Sequence, residues 1–198
     1  MPVHDDVYAA YHDLEWGLPV RDERSLFELL CLEGAQAGLS WRTILGRRDG
    51  YRAVFDGFDP ERIAAFDDDR LETILQDTRI VRNRLKVYAA RDNARTLLRL
   101  RAEREDGLAG ILWAAVGGRP IQNAWQSLTD VPAVTPEAET LSLTLRKFGF
   151  RFVGPTICYA LMQSAGLVND HVVTCYRYSE VQDSSRPLRA RAPLHSAS

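Results

Sequence analysis

Sulfur is scarce in this chain. Its 198 residues include three cysteines and two methionines. Cys31, Cys158 and Cys175 are odd in number and far apart, so they do not form a disulfide framework and read as reduced thiols. No run of about 18 apolar residues occurs, which excludes a membrane span. The opening MPVHDDVYAAYHD carries acids and no apolar core, so it does not resemble a secretion signal. The expected location is cytoplasmic. A surplus of positive charge is missing too: 25 Lys and Arg stand against 27 Asp and Glu, for a net charge of −2. Any grip on nucleic acid must therefore rest on local clusters and backbone N–H groups rather than on overall charge. Strands are the last absence, since no segment alternates cleanly between apolar and polar residues.

What is present is helical. Hydrophobic residues make up 45% and charged residues 26%, an ordinary globular balance. The opening around VYAAYHDLEWG reads as irregular or as one short helix. Asp22 is a plausible N-cap for an apolar helix through Leu26–Cys31 that ends near Glu33 and Gly34. Ser40 caps a helix from Trp41. Asp59 followed by Pro60 is a start signal, and Asp67 or Asp68 opens another short helix. Period 3.6 runs from about Val81 to Arg104. Residues 117–137 are polar with three prolines and read as a connector. A helix over about 137–147 precedes Gly149, and a further one starts at Pro155. The expected fold is all-α, about eight short helices in two lobes within one domain over residues 1–178. Residues 179–198 read as a disordered tail.

Four groups of residues could carry chemistry. GFRFVG, between a helix ending at Lys147 and one starting at Pro155, can present backbone N–H groups and a helix N-terminus to a phosphate. Gly149, Phe152, Gly154 and Thr156 are its candidate contacts. The same spacing also fits a plain packed αα-hairpin. His171 and Cys175, at i and i+4, suit two ligands of one zinc ion, with His12 as a third if the termini meet. They suit simple packing as well. Glu33 borders an apolar helix, where a carboxylate is costly unless paired; it could bind a base edge or move a proton, or point to water. Tyr8, Tyr11, Trp16 and Trp41 could stack on a flat ligand or fill a core. Arg79, Arg82, Arg84 and Lys86 make a local basic run.

Taken together, AYHDLEWG (10–17), LFELLCLEGAQAGLSW (26–41), RIVRNRLKV (79–87) and GFRFVGPTICYALMQSAGLVNDHVV (149–173) closely resemble the bacterial 3-methyladenine DNA glycosylase I family. The likeness runs in order from about Tyr8 to Tyr178. It implies a two-lobed helix–hairpin–helix glycosylase fold whose N- and C-terminal regions meet at a zinc site. It implies a monomer that flips N3-methyladenine out of double-stranded DNA and hydrolyses its N-glycosidic bond, leaving an abasic site. By motif position Glu33 is the base-recognising acid, Trp41 the stacking aromatic, and Tyr11 and Tyr8 pocket residues. His12, His171 and Cys175 match three of four zinc ligands. The family's opening Cys, the fourth ligand, and a pocket Trp two residues later would fall at or before Met1. His4 is a candidate substitute for that Cys. Either the start lies upstream, or the zinc site is weakened and the protein is an impaired damaged-DNA binder. Many helix–hairpin–helix glycosylases keep an Asp where this chain has Asn169. A cationic lesion makes its own bond weak, so selection and holding of the base would then suffice, with no lysine nucleophile and no strand cleavage.

Overall fold

The computed structural model describes residues 3–184. Eleven helices and two short 3-10 turns account for most of them. In order they are α1 (Val3–Leu14), α2 (Glu23–Gln36), α3 (Trp41–Leu45), α4 (Arg48–Val54), α5 (Pro60–Ala64), α6 (Asp68–Ile74) and α7 (Arg84–Glu103). There follow α8 (Gly107–Ala114), α9 (Pro136–Phe148), α10 (Pro155–Ser164) and α11 (Arg177–Ser184). The start signals act as the sequence suggests. Asp22, Ser40, Asp59 and Asp67 each accept a hydrogen bond from the backbone N–H three residues on, satisfying one of the orphan donors of a helix start.

Helix α2 is apolar nearly all round because it is surrounded. Leu26, Phe27 and Leu32 are fully buried, and the helix packs on α3, α7, α8 and α10. One continuous apolar core runs from Leu26 to Val168. The helices therefore share one core, with α2 packed on four of them. Lys86 fastens the end of α2: its ammonium donates to the carbonyls of Ala35 at 2.8 Å and Ala37 at 2.6 Å. A cation there satisfies carbonyls that a helix end leaves open. Arg79 pairs with Asp77 and Arg84 with Glu72, so three members of the basic run have partners within the chain.

The opening takes the helical one of its two readings, as a regular twelve-residue helix. Three sequence expectations change. The long helix starts at Arg84 rather than Val81, because the Asn83 side chain caps it by accepting from Lys86 N–H at 3.2 Å. The connector contains β1 (Ile121–Gln122), which pairs in parallel with β2 (Val168–Asn169); two residues are too few to show alternation. The expected tail begins as helix α11, docked through buried Val181. Residues 185–198 lie outside the described residues.

The N-terminal segment crosses the end of α10 at Gly166, which has φ 66°. A Cβ there would stand 2.3 Å from the Leu18 carbonyl carbon, so only glycine fits. Val20 N–H donates to the Ala165 carbonyl at 3.0 Å at the same crossing. This contact brings α1 against residues 168–175.

Candidate functional site

Beside that crossing lies a cavity of about 520 Å³, walled by side chains between Tyr8 and Trp41, by others between Ala160 and Cys175, and by Leu128. Tyr11 and Trp41 form one face, with ring centroids 5.4 Å apart. Tyr11 is 5% exposed, while Tyr8 is 40% exposed and sits at the mouth. The Tyr11 hydroxyl and the Trp41 Nε1–H are buried without a hydrogen-bond partner among the described residues. Buried polar atoms are seldom left unpaired, so both mark positions where a ligand would be bound. Burial also pushes the Tyr11 hydroxyl far above its usual range, which keeps it a donor.

Glu33 stands in the last turn of α2 and is 4% exposed. It does not point to water; it lines the cavity with Tyr11 and Trp41. Burial pushes its carboxyl up to about 8, and nearby Ser164 offsets part of that. The acid is thus held neutral near pH 7 and is ready to ionise when a cation arrives.

His12, His171 and Cys175 meet at the cavity's edge, with their ligating atoms within 4.8 Å of one another. Cys175 Sγ is 3.6 Å from His12 Nε2 and 3.6 Å from His171 Nδ1. Tetrahedral zinc with ordinary bond lengths puts a ligating sulfur about 3.6 Å from a ligating nitrogen. The remaining ring nitrogens are occupied: His12 Nδ1 lies 2.7 Å from Asp13 Oδ1, and His171 Nε2 lies 3.3 Å from the Trp16 carbonyl. Such outer contacts orient a ligating imidazole. Burial lowers His171 to about 4, which keeps its ring in the neutral form that a metal needs. The donor set fits a zinc ion. The side chain of His4 lies outside the described residues.

The segment between α9 and α10 is a tight turn. Gly149 ends α9 in the left-handed conformation, φ 101°, and Phe152 also has positive φ, 56°. Asn93 of α7 secures the turn from 58 residues away: its Oδ1 accepts from Arg151 N–H at 2.7 Å and its Nδ2 donates to the Arg151 carbonyl at 3.1 Å. Gly154 is the N-cap of α10 and carries no side chain. The N–H groups of Thr156 and the residue after it, in the first turn of α10, have no intrahelical acceptor. The guanidinium groups of Arg99 and Arg146 lie beside Gly149 and Gly154 respectively.

Glu33, Tyr8, Tyr11, Trp16 and Trp41 thus line the cavity, His12, His171 and Cys175 form the cluster at its edge, and Gly149, Phe152, Gly154 and Thr156 lie in the turn and the helix start that follows it. Gln36, Leu128, Gln163 and Asp170 also line the cavity, and the sequence gives little sign of them. Asn169 does not line it. Its amide is fully buried, donating to Gln122 Oε1 and to the Tyr178 carbonyl at 3.0 Å each. The next residue, Asp170, is the acid that faces the cavity.

Residues 2–178 match the model of the family described as methyladenine glycosylase. A DNA-3-methyladenine glycosylase 1 from Escherichia coli is 46% identical over 174 residues, covering 88% of this chain and 92% of the relative. The crystal structure of a 3-methyladenine DNA glycosylase I superposes with a TM-score of 0.84 at 48% identity, covering 86% of this chain and 93% of the other. A Staphylococcus aureus 3-methyladenine DNA glycosylase I, described for its recognition of 3-methyladenine, gives a TM-score of 0.84 at 32% identity, covering 92% and 93%.

Proposed function

Because the chain belongs to the methyladenine glycosylase family, we propose that its cavity receives N3-methyladenine flipped from alkylated double-stranded DNA, and that the protein hydrolyses the N-glycosidic bond to leave an abasic site. It is a DNA repair glycosylase. The observation that carries this reading is the pair of unpartnered buried donors, Tyr11 Oη and Trp41 Nε1, facing the same space as a buried, neutral-leaning Glu33. A methylated adenine offers ring-nitrogen acceptors and an exocyclic amine donor, and its positive charge favours the ionised form of Glu33. Trp41 and Tyr11 supply aromatic surface for its flat face. Unmethylated adenine brings no charge and leaves Glu33 protonated, so it gains less from the same pocket.

The lesion supplies much of the activation, since its base departs neutral. No lysine lines the cavity among the described residues, which suits a hydrolase without strand cleavage. The turn from Gly149 to Gly154 and the start of α10 act as a helix–hairpin–helix grip on the phosphate backbone, through Gly149, Phe152, Gly154 and Thr156. Arg99 and Arg146 add local positive charge. The protein works as a monomer on duplex DNA in the cytoplasm. Incubation with methylated duplex DNA and chromatography of the released bases tests this reading. Free 3-methyladenine is the expected product; DNA binding with no base released would instead identify a damage-binding protein.

His12, His171 and Cys175 hold a structural zinc ion that ties α1 to the C-terminal segment. The ion's part is to fix Tyr8 and Tyr11, carried on the same helix as His12. Purified protein should contain about one zinc per chain, and Cys175→Ser should lose most of it. Zinc content by mass spectrometry decides this, and a fully loaded Cys175→Ser protein would refute the assignment.

A further inference from the structure

Asp170 faces the cavity but has no part in base recognition as described above. It is 2% exposed, and both of its oxygens are held. Oδ1 accepts from Asn123 Nδ2 at 2.6 Å and Trp125 Nε1 at 2.8 Å. Oδ2 accepts from the Tyr159 hydroxyl at 2.6 Å and from Gln163 Nε2 at 2.7 Å. The donors come from the connector and from α10, and they aim one carboxylate in one direction. An apolar residue in its place would leave all four donors without an acceptor, so the network holds a carboxylate at this point. Four donors on its two oxygens hold the carboxylate in one fixed orientation. It is suited to act as a preorganised negative charge.

Its position says which charge it serves. The base cavity adjoins a groove of about 380 Å³ lined by Thr156, Tyr159, Val131 and Pro132. Asp170 borders both spaces, as do Trp16, Leu128, Ala160 and Gln163. Thr156 opens α10 at the phosphate grip. A nucleotide with its base against Glu33 and Trp41 and its phosphate near Thr156 must carry its sugar across the wall that Asp170 forms.

We propose that Asp170 is the fixed negative charge that stabilises the deoxyribose cation formed as the N-glycosidic bond breaks; this rests on the glycosylase reading above. In that step the C1′–N9 bond breaks and its electron pair stays on N9, which neutralises the cationic purine. The positive charge passes to C1′ and O4′ of the sugar. Water then adds at C1′ and releases a proton to solvent, leaving the abasic site. Charge thus moves from the Glu33 side of the cavity toward Asp170, so the acid favours the transition state over the bound lesion.

The test compares two duplexes, one with a cationic pyrrolidine ring in place of the lesion's sugar and one with the neutral tetrahydrofuran ring. The wild-type chain should prefer the cationic ring by about tenfold or more, and Asp170→Asn should abolish the preference while slowing single-turnover release of 3-methyladenine by about 100-fold. Asp170→Asn sets an amide against four donors and could misfold. Gln163→Lys is the second variant: it keeps a donor on Oδ2 and neutralises the charge, and it should lose the preference too. A merely structural role would weaken both duplexes alike. A wild-type chain that excises the base yet shows no cationic preference overturns the proposal, as does a folded variant that retains the preference. A wild-type chain that releases no 3-methyladenine instead sinks the functional reading beneath it.

Discussion

Glu33→Gln should slow release of 3-methyladenine by about 100-fold, a loss typical of removing one well-placed polar group from an active site, and should make the fold more stable at neutral pH. The two effects have one cause. Glu33 is 4% exposed, and burial raises its carboxyl from 4.5 to about 8. Between those values the folded chain keeps a proton that the unfolded chain has released. The stability linked to this group is therefore fully present below about pH 4.5 and is lost as pH rises toward 8. The slope is about 1.4 kcal/mol per pH unit. Glutamine has no such titration, so urea unfolding at pH 5 and pH 7.5 should show stability falling by about 3 kcal/mol in the wild type and a flatter line in the variant, which is then the more stable at the higher pH. If the ionised form receives the cationic base, as proposed, kcat/KM should rise with pH up to about 8. A variant with full activity, or one with the wild-type dependence of stability on pH, would remove Glu33 from the role given to it.

The second large effect is expected far from the cavity. Asn93→Ala should cost about 2 kcal/mol of stability, since it leaves the Arg151 N–H and carbonyl without their partners. It should also weaken binding to undamaged duplex DNA by about tenfold, because those two bonds hold the turn proposed to present α10 to phosphate. Asp92 offers a control. It pairs with Arg151 at 3.0 Å, but the Arg151 side chain is 61% exposed, and a surface pair of that kind contributes about 0.5 kcal/mol or less. Asp92→Ala should therefore change stability little. Filter binding across a salt series separates the outcomes: a displaced turn lowers affinity at every salt concentration, whereas loss of a phosphate contact reduces the salt dependence. Unchanged DNA affinity in a folded Asn93→Ala protein would show that the turn needs no anchor.

These residues differ in how far the sequence exposes them. Helix starts were readable because a cap is a local device: Asp22, Ser40, Asp59 and Asp67 each act on a backbone group three residues away. Glu33 stood out because an acid in an apolar helix is costly, and Tyr11 and Trp41 because aromatics cluster near it. Asn93 gave no sign, since its partners lie 58 residues on. Asp170 gave none either, because its donors are spread over positions 123, 125, 159 and 163. The sequence draws the eye to Asn169, the position that the resemblance to helix–hairpin–helix glycosylases singles out. In an extended segment successive side chains point to opposite faces, so Asn169 turns inward and its neighbour Asp170 turns toward the cavity. The connector looked featureless for the same reason: the pairing of Ile121 with Val168 that orders it joins distant segments.

The crossing at Gly166 also sets a schedule for the chain's synthesis. His12 and Cys175 face each other across 163 residues, and α10, one of the helices packed on α2, also comes from the end of the chain. At roughly 5–20 residues per second, about 8–30 s separate the emergence of these two residues from the ribosome. During that interval the face of α2 that α10 covers has been made but its partner has not. The chain cannot engage a lesion until its last quarter arrives, so the pocket is closed by the end of translation rather than built up along it.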